Sequence, residues 1–173
     1  MSEAPPPAAP DFGDPLAVLL ACHGDMLVQC QALQQLVVHL REHGFDTQAR
    51  STITQAVQFF AAAALQHHQD EEVDVFPILN RQSLKLADVV FRLRADHKRL
   101  HSLWEQLVAD FKRGPQLAED SEFAERVDAF CAAYRDHIRR EEKDLFDMAR
   151  HILSRAQLEE IGRAMARRRG LRR

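Results

Sequence analysis

Residues 67–77 read HHQDEEVDVFP, and residues 137–146, seventy positions later, repeat the pattern as HIRREEKDLF. The internal spacings of four and five residues are kept, and the matched positions are His67 with His137, Glu71 with Glu141 and Phe76 with Phe146. Four residues is about one turn of an α-helix, so each histidine and its glutamate lie on one face and can reach the same point in space. One such pair is usually a solvated charged surface, but two copies in register indicate metal ligands.

The composition is that of a single helical domain. The chain has 173 residues, 46% of them hydrophobic and 28% charged, which is enough for one domain with a proper core. It contains only six glycines and seven prolines, and four of the prolines lie in the first ten residues. We therefore expect a flexible proline-rich arm over residues 1–13 and one helical domain over residues 14–173.

Charge and cysteine content exclude several classes of protein. The net charge of −3 gives no electrostatic case for binding nucleic acid or an anionic membrane. We find no apolar run close to the roughly 20 residues needed to span a bilayer and no signal peptide, so a cytoplasmic location is expected. The three cysteines form no CxxC pair, which argues against a disulfide framework and for reduced thiols.

The apolar periodicity predicts an all-α, up-down-up-down bundle of four long helices with a short fifth helix. Asp14 and Pro15 start the first helix, and Gly44 stops it. Pro77 is expected to end or kink the second helix near Phe76. The predicted bundle helices cover about residues 15–43, from 46 or 47 to 76, 86–113, and from 120 or 121 to 152.

The short fifth helix is predicted from its start signal and its charged end. Ser154 and Gln157 form a capping box. Arg167, Arg168 and Arg169 stand at the predicted C-terminus, where they complement the helix dipole. We expect these arginines to form a solvated basic tail rather than a nucleic-acid surface.

The antiparallel topology brings seven potential ligands to one level of the bundle. His23 and His67 are equally distant from the turn at residues 44–46, and the 97/101 and 137/141 pairs flank the connection at residues 114–120 in the same way. Core packing does not require this, since a buried histidine without a partner costs about 1–3 kcal/mol. The candidate ligands are His23, His67, Glu71, His97, His101, His137 and Glu141.

The number and type of these ligands suggest two metal ions. A structural zinc site needs only four ligands, so seven in one layer indicate two ions that share carboxylates. Imidazole and carboxylate without thiolate suit iron, with manganese or zinc possible. The ferritin type of di-iron bundle uses ExxH and is dominated by glutamate, whereas this chain has HxxxE and is dominated by histidine.

These motifs resemble the hemerythrin-like, or HHE cation-binding, domain family over about residues 14–165. The family resemblance implies a bridged di-iron centre: one iron held by His97, His101 and His137, the other by His23 and His67, with Glu71 and Glu141 between them. The oxygen carriers of animals have an aspartate one position later than Glu141. Many bacterial and regulatory members share the arrangement seen here, which weakens a simple oxygen-transport role.

Several neighbours of the candidate ligands enter the hypothesis. Aligning the two halves of the chain puts Leu27 opposite His101, so the first half lacks one imidazole and an apolar side chain faces the open position. Trp104 and Tyr134 lie one turn from predicted ligands, where each fits a core residue as well as a part of the pocket.

His68 and Glu72 form a second HxxxE pair, offset from the first by about 100°. We prefer His67 and Glu71 because only they keep the spacing to Phe76. His68 is therefore expected behind the ligands or at the surface.

The leading hypothesis is a non-haem di-iron protein that binds O₂, NO or peroxide for sensing, storage or delivery, and more a binding protein than an enzyme. The alternatives are an iron donor for repair of iron–sulfur clusters and a regulatory metal-binding domain. Relatives of the repair class usually carry an additional cysteine-bearing N-terminal segment, and the predicted arm has no cysteine.

Overall fold

The computed structural model describes residues 11–82 and 84–171 and shows an all-α bundle, as predicted. The first bundle helix is α1 (Pro15–His43). The second combines α2 (Thr47–Phe59), a π turn π1 (Phe60–Ala64), α3 (Leu65–Gln69), a second π turn π2 (Asp70–Val75) and α4 (Phe76–Asn80). The third is α5 (Leu84–Phe111), followed by a short 3₁₀ helix (Gly114–Glu119). The fourth combines α6 (Phe123–Arg140), a third π turn π3 (Glu141–Phe146) and α7 (Asp147–Ile152), and the fifth helix is α8 (Arg155–Arg168).

The helix starts and stops follow the sequence signals. The Ala17 N–H donates to the Asp14 carboxylate at the start of α1 (3.1 Å), and Gly44 ends α1 with a φ of 74°. At the start of α8, Ser154 and Gln157 form the predicted capping box. The predicted boundaries of α1 and the cap of α8 are therefore confirmed.

Pro77 does not end the second bundle helix, which continues to Asn80. The irregularity lies just before the proline, in π2, where the Phe76 N–H donates to the Glu71 carbonyl five residues earlier. In the same five-residue pattern an N–H at position 77 would face the Glu72 carbonyl, and that carbonyl accepts a hydrogen bond from Arg94 instead (3.4 Å). The helix thus tolerates a residue without an N–H at this position.

Two apolar clusters fill the bundle, one on each side of a polar layer. One cluster includes Met26, Ala64, Leu100 and Phe130, and the other includes Leu19, Val75, Leu93, Leu145 and residues of α8. In each bundle helix, at least one predicted ligand falls between residues of the two clusters: His23, His67 with Glu71, His97, and Glu141. The three cysteines are unpaired, two of them buried, as the sequence predicts: Cys22, Cys30 and Cys131.

Helix α1 is also long and apolar enough to cross a membrane by length and composition alone. The same property is common in core helices of soluble proteins. Nine residues of α1 are buried in the bundle, among them His23 in the polar layer. The face of α1 that carries these residues packs in the bundle.

Both predicted ends of the chain need correction. Residues 1–10 of the predicted arm lie outside the described residues, but Phe12 is buried and packs on α8. A Cβ at Gly162 would lie 1.9 Å from the Phe12 carbonyl oxygen, so this contact requires glycine. Arg168 and Arg169 are not a solvated tail, because both pair with the buried carboxylate of Asp70.

Candidate metal centre

Five histidines and two glutamates converge in the polar layer from all four bundle helices. They form two groups, and within each group the potential ligand atoms lie within 4.8 Å of one another. Except for the partly buried His68, every member is buried. The first group is His23, His67, Glu71 and Glu141, and the second is His68, His97 and His137.

The two glutamates lie between the groups. One oxygen of Glu71 is 2.8 Å from His67 Nε2, and its other oxygen is 3.3 Å from His97 Nε2. Glu141 Oε2 is 3.2 Å from His23 Nε2 and 3.4 Å from His137 Nε2. Each carboxylate therefore touches one histidine of each group, which is the position of a bridging ligand.

The layer has the unpaired polar atoms that a metal site requires. The Nε2 atoms of His68, His97 and His137 and all four carboxylate oxygens of Glu71 and Glu141 are buried. The contacts among them given above are ion-pair distances, and none of these atoms has a described partner in hydrogen-bond geometry. Leaving so many buried polar atoms unpaired is costly unless a cation binds them. The residues present thus fit a pair of metal ions, with imidazole and carboxylate ligands and no thiolate in either group.

Carboxylates behind the histidines orient the ligand nitrogens. The Nδ1 atoms of His23 and His97 lie 2.9 and 2.7 Å from oxygens of Glu142 and Glu72. When Nδ1–H donates to these carboxylates, the Nε2 lone pair faces the centre of the layer. The second glutamate of each Glu-Glu pair thus holds a histidine of the opposite half of the chain.

The two halves are related by an internal pseudo-twofold symmetry. His23 stacks on Phe146 with ring centroids 5.7 Å apart, and His97 stacks on Phe76 at 5.8 Å. The edge-to-face pairs His23–His67 and His97–His137 both have centroid distances of 4.9 Å. The sequence repeat therefore corresponds to a structural repeat around the metal layer.

The π turns explain the five-residue spacing from glutamate to phenylalanine. In a regular α-helix five residues rotate by about 500°, which would place the two side chains on different faces. In π2 and π3 the backbone hydrogen bonds span five residues, so each residue rotates the helix by less than 100°, and Glu71 and Phe76 are both buried, as are Glu141 and Phe146. The repeated spacing was visible in the sequence and is the signal from which both π turns could have been predicted.

The structure corrects the prediction that His101 is the third histidine beside His97 and His137. His101 lies outside the layer, with its side chain 69% exposed and its Nε2 3.4 Å from Glu105. On α5 the buried stripe passes from His97 to Leu100, three residues on, and this turns His101 towards solvent. His68 takes the place: its ring stacks on that of His97 with a centroid distance of 4.0 Å.

His67 and His68 serve different groups because neighbouring residues on a helix point about 100° apart. His67 faces His23, and His68 faces His97 and His137. The prediction that His68 lies behind the ligands or at the surface is therefore not met. Both HxxxE pairs contribute, since Glu72 holds His97.

The predicted pocket residues have different positions. Leu27 is 38% exposed and belongs to neither apolar cluster. Trp104 packs against Phe60 and Phe130 within the aromatic core. Tyr134 is buried and its ring is stacked 6.3 Å from that of His68, so it contacts the site through that histidine.

The glutamates set the charge of the histidines in the metal-free layer. Burial lowers the pKa of His97, but Glu71 and Glu72 raise it more, to about 9. Burial and the neighbouring His97 hold the pKa of His68 well below 6.5. His68 is therefore neutral with a lone pair available, whereas His97 carries a proton that a metal ion must displace.

The metal-free protein is expected to lose stability as the pH rises above neutrality. A histidine whose pKa is raised from 6.5 to about 9 contributes stability that is full below 6.5 and is lost through 9. The loss is at most about 3 kcal/mol. Urea unfolding of chelator-treated protein at several pH values measures this loss of unfolding free energy. In His97→Gln the dependence of the unfolding free energy on pH should be weaker. Constant or rising stability over this range would contradict the assignment.

Comparisons with known proteins agree with this geometry. The family model described as the hemerythrin HHE cation binding domain matches residues 14–149, which include every residue of the metal layer. An uncharacterised protein of Haemophilus influenzae is 31% identical over 160 residues, covering 91% of each chain. The sequence-based family prediction is thus confirmed, and the chain belongs to the hemerythrin family of HHE cation-binding domains.

Proposed function

We propose that the protein holds two iron ions in the polar layer and binds O₂, or a related small molecule such as NO or peroxide, beside them. Cation binding by the family and the imidazole and carboxylate ligands of the layer support the choice of iron. Two iron ions bound there would supply the redox chemistry that such molecules require. The ligands would be His23 and His67 for one ion, His68, His97 and His137 for the other, and Glu71 and Glu141 for both.

The observation that carries the proposal is the unequal number of histidines in the two groups. The pseudo-twofold symmetry that relates His67 to His137 relates His68 to Ile138. Since His68 faces His97 and His137, we infer from the symmetry that Ile138 takes the corresponding place beside His23 and His67. Ile138 is buried in an apolar cluster. The first ion would thus have one histidine fewer and an apolar wall beside it, which suits a small neutral ligand.

The surroundings of the layer limit what can reach it. Apolar clusters close both sides, and Phe76 and Phe146 cover His97 and His23. A cavity of about 40 Å³ reaches His137 between α5 and α6. Its size is comparable to that of one or two water molecules. A layer enclosed by apolar clusters on both sides supports a binding protein for diatomic or triatomic molecules over an enzyme for organic substrates.

Iron loading is expected to give close to two ions per chain and a large gain in stability. Each ion whose dissociation constant is about 1,000-fold below its free concentration stabilises the fold by about 4 kcal/mol, or roughly 8–16 °C for a chain of this size. Metal analysis and thermal unfolding, with and without chelator, measure both effects. The two-ion site would be refuted if a loaded sample contained one ion or none and its melting temperature did not change when the chelator was added.

Ligand binding is tested on the same iron-loaded, reduced protein. Its optical spectrum is expected to change when O₂ is admitted and to return when O₂ is removed. A spectrum that responds to NO but not to O₂ would assign the site to the related ligand. A fully loaded protein that responds to neither O₂, NO, peroxide nor azide would disprove the open position.

A further inference from the structure

Asp70, the residue before the bridging Glu71, has a wholly buried side chain. Its carboxylate pairs with two arginines at the end of α8: Arg169 Nη2 lies 2.7 Å from Asp70 Oδ2, and Arg168 contacts Asp70 Oδ1. Arg168 also pairs with Asp74, at 2.8 Å. Two guanidinium groups therefore bind the C-terminal end of α8 to π2.

The position of Asp70 is linked to that of Glu71 because both belong to one π turn. Asp70 faces α8, while Glu71 faces His67 and His97. A buried carboxylate that loses its cationic partners becomes costly and is relieved by turning towards water. Such a rotation of π2 would carry Glu71 away from the two histidines.

The second half of the chain has an equivalent anchor. Arg140 precedes Glu141 as Asp70 precedes Glu71, and it pairs with Asp96 of α5. Both bridging glutamates thus follow a residue that an ion pair fixes from outside the layer. In the second half the partner lies within the bundle, whereas in the first half it comes from α8, which lies beyond the 14–149 range of the family match.

We propose that Arg168 and Arg169 are positioning residues of the metal centre, which hold Glu71 between the two groups of histidines through their ion pairs with Asp70. As far as metal is concerned, this inference rests on the proposed function. Docking of α8 and retention of metal are then coupled, and by linkage each strengthens the other. Helix α8 is a part of the metal site that the four bundle helices alone do not supply.

The test compares the double variant Arg168→Gln/Arg169→Gln with wild type. The apolar contacts of Ile161 and Met165 keep α8 attached, so helical content by circular dichroism should stay unchanged. In the metal-free protein, hydrogen exchange of residues 70–76 should accelerate at least 10-fold while exchange in α1 and α6 stays the same. In the iron(II)-loaded protein, release of iron to a chelator should accelerate at least 10-fold.

Two variants separate positioning from general stability. Arg155 is exposed on α8 and pairs with Glu159 of the same helix, so Arg155→Gln should leave exchange and iron release unchanged. The Arg168→Lys/Arg169→Lys variant keeps the charges without the guanidinium fork and should recover part of both effects.

Wild-type exchange at residues 70–76 and wild-type iron release in the double glutamine variant would overturn the inference. Faster exchange spread evenly over all helices would also overturn the inference, because it would show a general structural role. The same holds if the double glutamine variant does not fold and the double lysine variant folds without recovering iron retention. If the wild type holds no iron, the proposed function fails, and the exchange measured on the metal-free protein still decides whether the arginines place π2.

Discussion

Replacing His68 by alanine is expected to release one of the two metal ions, whereas replacing His101 by alanine leaves the metal content at the wild-type level. The ring of His68 lies 4.0 Å from that of His97, and its buried Nε2 makes no hydrogen bond to a described residue. The side chain of His101 is 69% exposed and is 3.4 Å from Glu105. Both substitutions remove an imidazole, but His68 lies inside the layer and His101 lies outside it.

The expected size of the effect follows from the number of ligands. The second group has three histidines, and loss of one leaves two imidazoles and the shared carboxylates. Mutating even an outer partner of a metal ligand typically costs 10–100-fold in affinity, so loss of a ligand itself should cost more than about 100-fold. Metal analysis after dialysis against a weak chelator should find about one ion per chain in His68→Ala and about two in His101→Ala.

The outcome also tests the register of the second bundle helix. Loss of an ion in His101→Ala with full retention in His68→Ala would restore the ligand set implied by the family resemblance. Glu72→Gln provides an intermediate case, because it removes the carboxylate that holds Nδ1 of His97 without removing a ligand. It should weaken metal binding by about 10–100-fold and leave the number of sites at two.

Much of the fold could be predicted because short-range signals fix it. Asp14, Pro15 and Gly44 bound α1, and the capping box of Ser154 and Gln157 opens α8. The common level of the histidines follows from the lengths of antiparallel helices and the turns between them. Six of the seven predicted ligands lie in the layer for this reason.

The errors arise where a side chain direction depends on tertiary packing. Whether His68 or His101 faces the layer depends on the rotation of two helices about their axes, and α5 follows a stripe through Leu93 and Leu100 that excludes His101. The π turns change the rotation of the second and fourth bundle helices, which a constant period of 3.6 residues does not describe. The partners of Asp70 are nearly a hundred residues away in the chain, so neither local spacing nor charge pattern indicated that Arg168 and Arg169 would be partly buried.

For the same reason, the function that we propose puts the open position beside Ile138 and not beside Leu27. Leu27 is 38% exposed and lies in neither apolar cluster, whereas Ile138 is buried in one. The relevant symmetry relates the two residues that directly follow the HxxxE histidines: His68 after His67, and Ile138 after His137. Alignment of the chain halves at His23 and His97 was therefore sound, but the residue that distinguishes the halves lies on the fourth bundle helix.

Replacing Ile138 by histidine is expected to abolish binding of azide, used as a stable probe of the open position, while both iron ions stay bound. By the pseudo-twofold symmetry, the new imidazole would face His23 and His67 as His68 faces His97 and His137. A histidine there would complete a third nitrogen ligand and fill the apolar wall, and metal coordination would offset the cost of burying a polar ring. Azide affinity, measured by optical titration, should fall at least about 100-fold, since losing even an outer partner of a metal ligand typically costs 10–100-fold.

Matched variants make the result specific to this wall. Leu27→His adds the same imidazole at a partly exposed position and should bind azide as wild type does. Ile138→Val keeps an apolar wall and should retain azide binding, whereas Ile138→Phe should weaken it by bulk without adding a ligand. If Ile138→His holds two iron ions and binds azide with wild-type affinity, the open position does not lie beside Ile138. If Leu27→His blocks azide instead, the ligand enters on the α1 side, and the symmetry between His68 and Ile138 has no bearing on small-molecule binding.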